Sequence, residues 1–374
     1  MNIVFFSPIE VFQIASGAPN RIFHLAKTIS DMGENVYLIL NSKNEGIRKI
    51  DNLSILSCPF VKGKLPRLPQ ILSKLNLVKE FKKINRKIDI IQYEFPYDFP
   101  WVYLAKLYSG APIVLDEHGI EINFVREVYW SRPSMFRKAS VFLRELVSTK
   151  LSSHIFVCSK VDLEQLARIY KIPKSKITEI PNAVNQGFFE EIDPYKFEIP
   201  TVLFLGGFKH PPNYYAAKAL KEVIIPQVVE KEKDVQFVYI GQEPPAWLEN
   251  IEHVKVLGYV PDVRSFVKGA DICIAPIFHG SGTRLKILEY MALGKPVIST
   301  SKGAEGIEIV NGENIIIEDD TQKFAEDIVF LLHDATRAKN LGENARKLVK
   351  EKYTWERVSA QAIEVYKKLT DGLE

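Results

Sequence analysis

Two periods of apolar residues share this chain. Short runs rich in Val, Ile and aromatic residues read as strands, and longer stretches with an apolar residue every three or four positions read as helices. In the first half the predicted strands are 2–6, 35–40, 53–59, 89–93, 112–116 and 154–158, with helical stretches between most of them. The clearest helix is 18–32, which Gly33 terminates. A second series begins at Thr201, with strands predicted over 201–205, 235–240, 254–257, 271–275, 296–299 and 314–317. Its helices are predicted over 213–230, 263–268, 284–293, 321–333 and 335–351, and a last one starts near Trp355 with Thr354 as its cap. Such alternation predicts parallel sheets covered by helices on both faces.

The pattern breaks where Pro181, Asn182, Asn185, Gly187, Pro194 and Pro200 crowd together. That stretch reads as a linker, 182–200, between a domain of residues 1–181 and a second of residues 201–354. No sequence repeat is evident, yet the doubly wound architecture is predicted twice. Ligands of such sheets bind at the carboxyl ends of the strands. A cleft with a nucleotide on one domain and a second substrate on the other is therefore the expected arrangement.

Composition changes this picture little. The 374 residues suit two domains, and 46% hydrophobic with 25% charged residues is ordinary for a globular protein. There is no run of about 18 apolar residues, and no basic segment precedes the first strand, so neither a membrane span nor a secretory signal is expected. Cys58, Cys158 and Cys273 are scattered and fall in or beside strands, which predicts buried reduced thiols and a cytoplasmic protein. Charge is uneven: residues 1–180 hold 26 Lys and Arg against 17 Asp and Glu, whereas residues 181–374 hold 23 against 29. A basic first half is suited to an anionic surface.

The stretch most telling for chemistry is His279-Gly-Ser-Gly-Thr-Arg-Leu-Lys-Ile-Leu-Glu289-Tyr-Met-Ala-Leu-Gly-Lys-Pro296. Gly280 and Gly282 let backbone amides approach a ligand, and the helix that follows offers its free N–H groups and positive dipole end to a phosphate. Arg284 and Lys286 add full charge in the first turn, against the dipole, so an anion is the natural compensation. A turn further on, Glu289 is placed to accept hydrogen bonds from vicinal hydroxyls such as those of a ribose. A surface helix with an Arg and a Lys in solvent accounts for the same residues. In the first domain, the strand at 112–116 runs into Glu117-His118-Gly119, which sets a His at the ligand-facing end of the sheet. Glu117 and Glu121 flank it, and Glu94 follows the preceding strand; any of the three carboxylates is placed to orient an acceptor.

At these residues the chain resembles the retaining nucleotide-sugar glycosyltransferases of family 4 (group 1), which have the GT-B fold. Their signature is a Gly-rich turn, then a helix with a Glu followed by Met-Ala-x-Gly-x-Pro-Val, and this chain reads Glu289-Tyr-Met-Ala-Leu-Gly-Lys-Pro-Val. The family usually has two glutamates spaced E-x7-E. The second is Glu289, which in the family holds the donor ribose, while the first falls on Ser281. Lys176–Val184 is similar to the family's lead-in to its second domain, and Thr201–Asn213 to its first strand and phosphate loop. In that loop Lys209 stands with Gly206 and Gly207, and Pro211-Pro-Asn213 replaces the usual Lys-Gly. Ser16-Gly17 stands where the family often has Gly-Gly, near the donor phosphate or the acceptor. The resemblance covers nearly the whole chain and implies the following. The fold is α/β, with two Rossmann-like domains facing a central cleft and a C-terminal helix, 355–374, packing back on the first, acceptor-binding domain. Gly17, Gly206, Gly207, Ser281, Gly282, Thr283, Leu285 and Glu289 bind a UDP-, GDP- or ADP-sugar. His118, Lys209, Arg284 and Lys286 serve catalysis, and the sugar passes to a hydroxyl acceptor with retention of configuration.

No metal or other cofactor is expected. There is no Asp-x-Asp placed as metal-dependent transferases of the other major fold use it, no Cys/His zinc spacing, no P-loop and no complete dinucleotide fingerprint. Nucleic acid is not an expected partner. Two other functions stay open: a nucleotide-sugar 2-epimerase of the same architecture, and a non-catalytic sugar-nucleotide-binding subunit, which the missing first Glu suggests. Residues 43–87 contain twelve Lys and Arg beside an apolar stripe at Leu72, Leu75, Val78 and Phe81, which predicts an amphipathic helix over 70–87. Either that helix meets an anionic membrane, peripheral on its cytoplasmic face and useful for a lipid-linked acceptor, or its stripe packs on its own sheet while the lysines face water.

Overall fold

The computed structural model describes residues 1–11, 17–42, 46–59, 78–128, 134–280 and 282–372. It divides into two compact units, the first holding Met1–Val125, Ser131–Pro181 and Trp355–Glu374, the second built on Asn182–Thr354.

The first unit carries strands β1 (Asn2–Ser7), β2 (Asn35–Ser42), β3 (Gly46–Ile50), β4 (Leu53–Pro59), β5 (Ile90–Glu94), β6 (Ile113–Glu117), β7 (His154–Val157) and β8 (Ile177–Glu179). They form one sheet in the order β3-β4-β2-β1-β5-β6-β7-β8. Strands such as β1, β5 and β6 are buried along nearly their whole length, as parallel strands covered on both faces must be. The pairing is parallel except at one edge, where β3 runs antiparallel to β4. A two-residue turn at Asp51-Asn52, with Asp51 at φ 51°, closes that hairpin. β3 reads Gly-Ile-Arg-Lys-Ile and is exposed, so no apolar run marks it; its Arg48 and Lys49 protect a free sheet edge. Compared with the expected bounds, β5 and β6 shift by one residue, so Glu94 and Glu117 become the last residues of their strands, and Glu94 pairs in register with Asp116.

The C-terminal helix Trp355–Asp371 belongs to this first unit, as the resemblance implies. It packs on the helix Gly17–Asp31, with His24 stacked on Trp355 at 6.0 Å between ring centroids. Of the expected helix over 70–87, residues 78–82 are helical and the part before them lies outside the described residues. Phe81 and Ile88 are buried and Ile84 packs against the same core, so this end of the stretch turns its apolar side chains inward.

In the second unit, β9 (Thr201–Leu205), β10 (Gln236–Ile240), β11 (Val254–Gly258), β12 (Ile272–Ala275), β13 (Val297–Ser299) and β14 (Ile316–Ile317) form a sheet in the order β11-β10-β9-β12-β13-β14, all paired parallel. The expected helix over 213–230 is interrupted: α-helix over Pro211–Ala219 passes through a π turn, Leu220–Ile224, before resuming over Ile225–Lys231. Pro226 brings no N–H to the ladder, and the Ile225 N–H bonds five residues back to the Leu220 carbonyl. Among the described residues, no helix is long and apolar enough to cross a membrane.

Candidate functional site

In the second unit, β9 ends at Leu205, whose N–H donates to the Tyr290 hydroxyl at 2.7 Å. That bond pins the helix Leu285–Ala292 to the end of the central strand. The chain then turns at Gly206-Gly207, where a Cβ on Gly206 would lie 2.7 Å from the Asn213 side chain. Asn213 holds the corner together: its amide donates to the Gly207 carbonyl at 2.9 Å, and its Oδ1 accepts from the Lys286 ammonium at 2.8 Å. Lys286 also sits 4.3 Å above the centre of the Phe204 ring. Arg284 is the N-cap residue of the helix, and its guanidinium donates to the carbonyls of Gly282 and His279. Gly280 and Gly282 have φ of 104° and 83°, values only glycine adopts without strain, and they bend the loop around that guanidinium.

Electrostatically this corner is short of negative charge. Burial, and then the neighbouring Arg284, push the Lys286 ammonium down to about 7. Burial followed by the charges of Arg284 and Lys286 takes His210 down to about 4. One turn below, burial lifts the Glu289 carboxyl to about 7, with Lys286 opposing the shift. Among the described residues no side chain or backbone group donates a hydrogen bond to the Glu289 carboxyl. The corner thus offers convergent donors and latent positive charge at a helix N-terminus, with an uncommitted carboxyl beside them.

In the first unit, the carboxyl ends of β5 and β6 build a second polar group. Asp116 takes a two-pronged ion pair from Arg21, at 3.0 and 2.8 Å, with both side chains almost fully buried. Arg21 also donates to the Pro181 carbonyl at 3.0 Å, tying the first helix to the last residue of this segment. Glu94 accepts from the Gln92 amide at 2.9 Å and meets the His118 Nε2 at 2.6 Å. Gln92 in turn accepts from the Tyr366 hydroxyl of the C-terminal helix. The His118 ring lies flat on Phe95, centroids 4.2 Å apart, and Phe95 itself adopts φ 63°, an uncommon backbone for an aromatic residue at a strand end. Burial, then the charge of Asp116, raises the Glu94 carboxyl, while the bond to His118 pulls it back. A histidine so held is fixed in position and keeps its second ring nitrogen for another partner.

The other residues singled out from the sequence fall as follows. Gly17 opens the helix Gly17–Asp31 and is exposed, while Ser16 and Ser281 lie outside the described residues. Lys209 is 81% exposed and paired with Glu243 rather than buried among the cations at Lys286. The Thr283 carbonyl accepts from Asn182 at 3.3 Å, and Leu285 is buried. Burial raises the Glu121 carboxyl, which bonds Tyr97. Glu117 does not join His118: its side chain is 0% exposed, with no hydrogen bond to either oxygen among the described residues. Burial and the nearby Glu145 hold it well above the usual carboxylate range. Its placement as an acceptor-facing carboxylate is therefore corrected, because strand alternation aims it away from the group at Glu94 and His118. Reasoning from sequence alone passed over Arg21, Gln92, Asp116, Asn213 and Tyr366. Arg21 left one legible trace, a charged residue within the buried stripe Ile22, Leu25, Ala26 and Ile29.

Glu94, Asp116 and His118 bring one ligand atom each within 4.8 Å of one another, the spacing of a cation site. Asp116 commits both oxygens to Arg21, so a permanent cation already occupies that electrostatic role.

Comparison with known proteins agrees with this architecture. Residues 15–187 match the model of Glycosyltransferase Family 4, and residues 199–334 that of Glycosyl transferases group 1. A phosphatidyl-myo-inositol mannosyltransferase of Mycolicibacterium smegmatis is 27% identical over 227 residues, 57% of this chain and 58% of that protein. The chain thus matches under two thirds of that relative's length. Among solved structures, the sucrose-phosphate synthase of Thermosynechococcus elongatus superposes over 100% of both chains with a TM-score of 0.80 at 16% identity. HepE of Anabaena, in complex with UDP and glucose, superposes over 98% of this chain and 100% of its own with a TM-score of 0.73 at 13% identity. The fold is GT-B, two parallel-sheet α/β domains in one chain. Within that class the chain belongs to the group 1 glycosyltransferases, family 4.

Proposed function

We propose that this protein is a glycosyltransferase that moves a sugar from a nucleoside-diphosphate sugar to a hydroxyl acceptor with retention of configuration. The observation that carries the proposal is the corner at the end of β9. There Lys286, Arg284 and His210 converge on the N-terminal turn of one helix, and the Glu289 carboxyl waits a turn below with no hydrogen-bond donor among the described residues. In this reading the diphosphate lies against the cations and the helix N-terminus, and Glu289 takes the ribose hydroxyls. Negative charge grows on the diphosphate as the glycosidic bond breaks, so fixed positive charge there lowers the barrier. Gly206, Gly207 and Gly282 leave the backbone close to the ligand, and His118, held by Glu94, serves the sugar or acceptor from the first unit. The departing phosphate then takes the acceptor proton on the same face, so no protein nucleophile is required, and no metal is needed where helix N–H groups and basic side chains carry its charge. UDP in the HepE structure and the mannosyltransferase relative support a nucleotide-sugar donor.

A thermal-shift screen against UDP, GDP, ADP and their sugars tests the reading. A nucleotide at 100 times its dissociation constant stabilises the fold by about 2.7 kcal/mol. A chain that none of the three stabilises is not a nucleotide-sugar transferase of this kind.

A further inference from the structure

The polar group at the carboxyl ends of β5 and β6 does not stop at His118. Gln92 and Glu94 are two residues apart on one strand and so share a face of the sheet, and Asp116, paired in register with Glu94, lies on the same face. All three are 0% exposed. The Gln92 amide forks between the two carboxylates, donating to Glu94 Oε1 at 2.9 Å and to Asp116 Oδ2 at 3.4 Å. On its other side the Gln92 carbonyl accepts from the Tyr366 hydroxyl, which the C-terminal helix brings in from 274 residues away. Tyr366 is itself fully buried, its ring 5.7 Å from that of Phe156. Burial, then the charges of Asp116 and Glu94, hold its phenol well above the ordinary range, so the hydroxyl keeps its proton.

These partners admit one orientation of the Gln92 amide. Turned over, it would point its oxygen at two buried carboxylates. In the orientation seen, the Tyr366 hydroxyl satisfies the carbonyl and the NH2 group is left to the acids. Arg21 already neutralises Asp116 through two bonds, so Glu94 is the acid that depends on Gln92. An N–H held at Oε1 favours the ionised carboxylate, and an ionised Oε2 at 2.6 Å can only accept from His118 Nε2. The neutral imidazole then carries its proton on Nε2. Its Nδ1, which has no hydrogen bond among the described residues, presents a lone pair. A protonated Glu94 would donate to Nε2 instead, and Nδ1 would become a donor. Stacking on Phe95 fixes the plane of the ring but not which nitrogen bears the proton. We propose that Tyr366 is a positioning residue that acts through Gln92 and Glu94 to set the tautomer of His118, so that Nδ1 accepts a hydrogen bond from a hydroxyl of the sugar or the acceptor. The use of that nitrogen rests on the sugar-transfer reading, whereas the control of the tautomer does not.

Nitrogen NMR of the whole chain with labelled histidine tests this, at about pH 8.5, where an ordinary imidazole is neutral. The His118 signals are recognised among those of seven histidines by their loss in H118N. The parent should show Nε2 protonated and Nδ1 bare. Y366F leaves the Gln92 carbonyl buried without a donor, and Q92M removes the amide at nearly equal volume. In both variants, with circular dichroism unchanged, the Nδ1–H form should become the major one. With the sugar nucleotide that most stabilises the parent in the thermal-shift screen, kcat should fall about tenfold in Y366F while KM changes less than about twofold, because the nucleotide contacts of the second unit are untouched. Y366F/Q92M should be no worse than Q92M alone, since both act through one chain of bonds. Unchanged His118 nitrogens in folded Y366F and Q92M overturn the proposal, as does a double variant whose losses in kcat add. Shifted nitrogens with kcat unchanged, or in a chain that no nucleotide stabilises, support the control of the tautomer and place the failure in the sugar-transfer reading.

Discussion

Single side chains carry the sharpest tests. If Glu289 holds the ribose hydroxyls, Glu289→Ala should weaken nucleotide binding by about 1.5–3 kcal/mol, the worth of hydrogen bonds to a charged acceptor; calorimetry on the folded variant checks it. Lys286 gives a pH signature. Its ammonium is depressed to about 7 in the free protein, and a diphosphate beside it favours the charged form, so the complex binds more protons than the free protein. Nucleotide affinity should therefore fall as pH rises through about 7 and above, with proton uptake visible as a buffer-dependent binding enthalpy. Lys286→Ala should remove that dependence and lower turnover, as should Arg284→Ala for turnover. Glu117 predicts the pH dependence of stability. Its folded pKa is raised by burial and by Glu145, so above the unfolded value of about 4.3 the unfolded chain loses a proton that the fold retains. The fold thus loses stability as pH rises, by about 1.4 kcal/mol for each pH unit between the unfolded and the folded pKa. Glu117→Gln, compared with the parent by denaturant melts at pH 5 and pH 8, should gain relative stability at the higher pH.

At the scale of elements, the corner between β9 and the helix Leu285–Ala292 depends on a few cross-links rather than on an apolar seam alone. Tyr290 fixes the helix to the strand end, and Asn213 couples the glycine turn to Lys286. Asn213→Ala leaves the Lys286 ammonium short of one acceptor and frees the turn. Turnover should drop by about tenfold or more, consistent with the loss of one well-placed hydrogen bond, while the melting temperature shifts little; a steady-state assay beside a thermal melt separates the two. Element boundaries from periodicity hold within a residue or two for the buried strands, because fully buried parallel strands are long apolar runs. They fail where the reason is not apolar. β3 is an exposed charged edge strand, and the helix after His210 changes its hydrogen-bond ladder at a proline.

For the molecule as a whole, the chain enters its first unit, builds a second, and returns, so residues 355–374 complete a core laid down by residues 1–181. Trp355, Val358, Ala362 and Tyr366 are buried there. The two polar groups described above lie at the carboxyl ends of parallel strands, where α/β sheets bind ligands. If helix N-termini and basic side chains replace a divalent ion, transfer should persist in excess EDTA; activity lost to the chelator and restored by Mg²⁺ or Mn²⁺ contradicts that part of the proposed mechanism.

The sequence by itself determined the class of architecture, since alternating buried strands and amphipathic helices permit little else. It also marked the glycine-rich turn, Arg284, Lys286 and Glu289, because a helix start crowded with cations is locally anomalous. Distant pairings were decided only by tertiary structure. Arg21 meets Asp116 across 95 residues, and Tyr366 meets Gln92 across 274. No local pattern encodes such contacts, because a buried polar side chain shows its purpose only through the partner that satisfies it. The same reason separates Glu94 from Glu117: both end strands and both read as cleft carboxylates, yet one finds a histidine and the other is sealed inside the first unit.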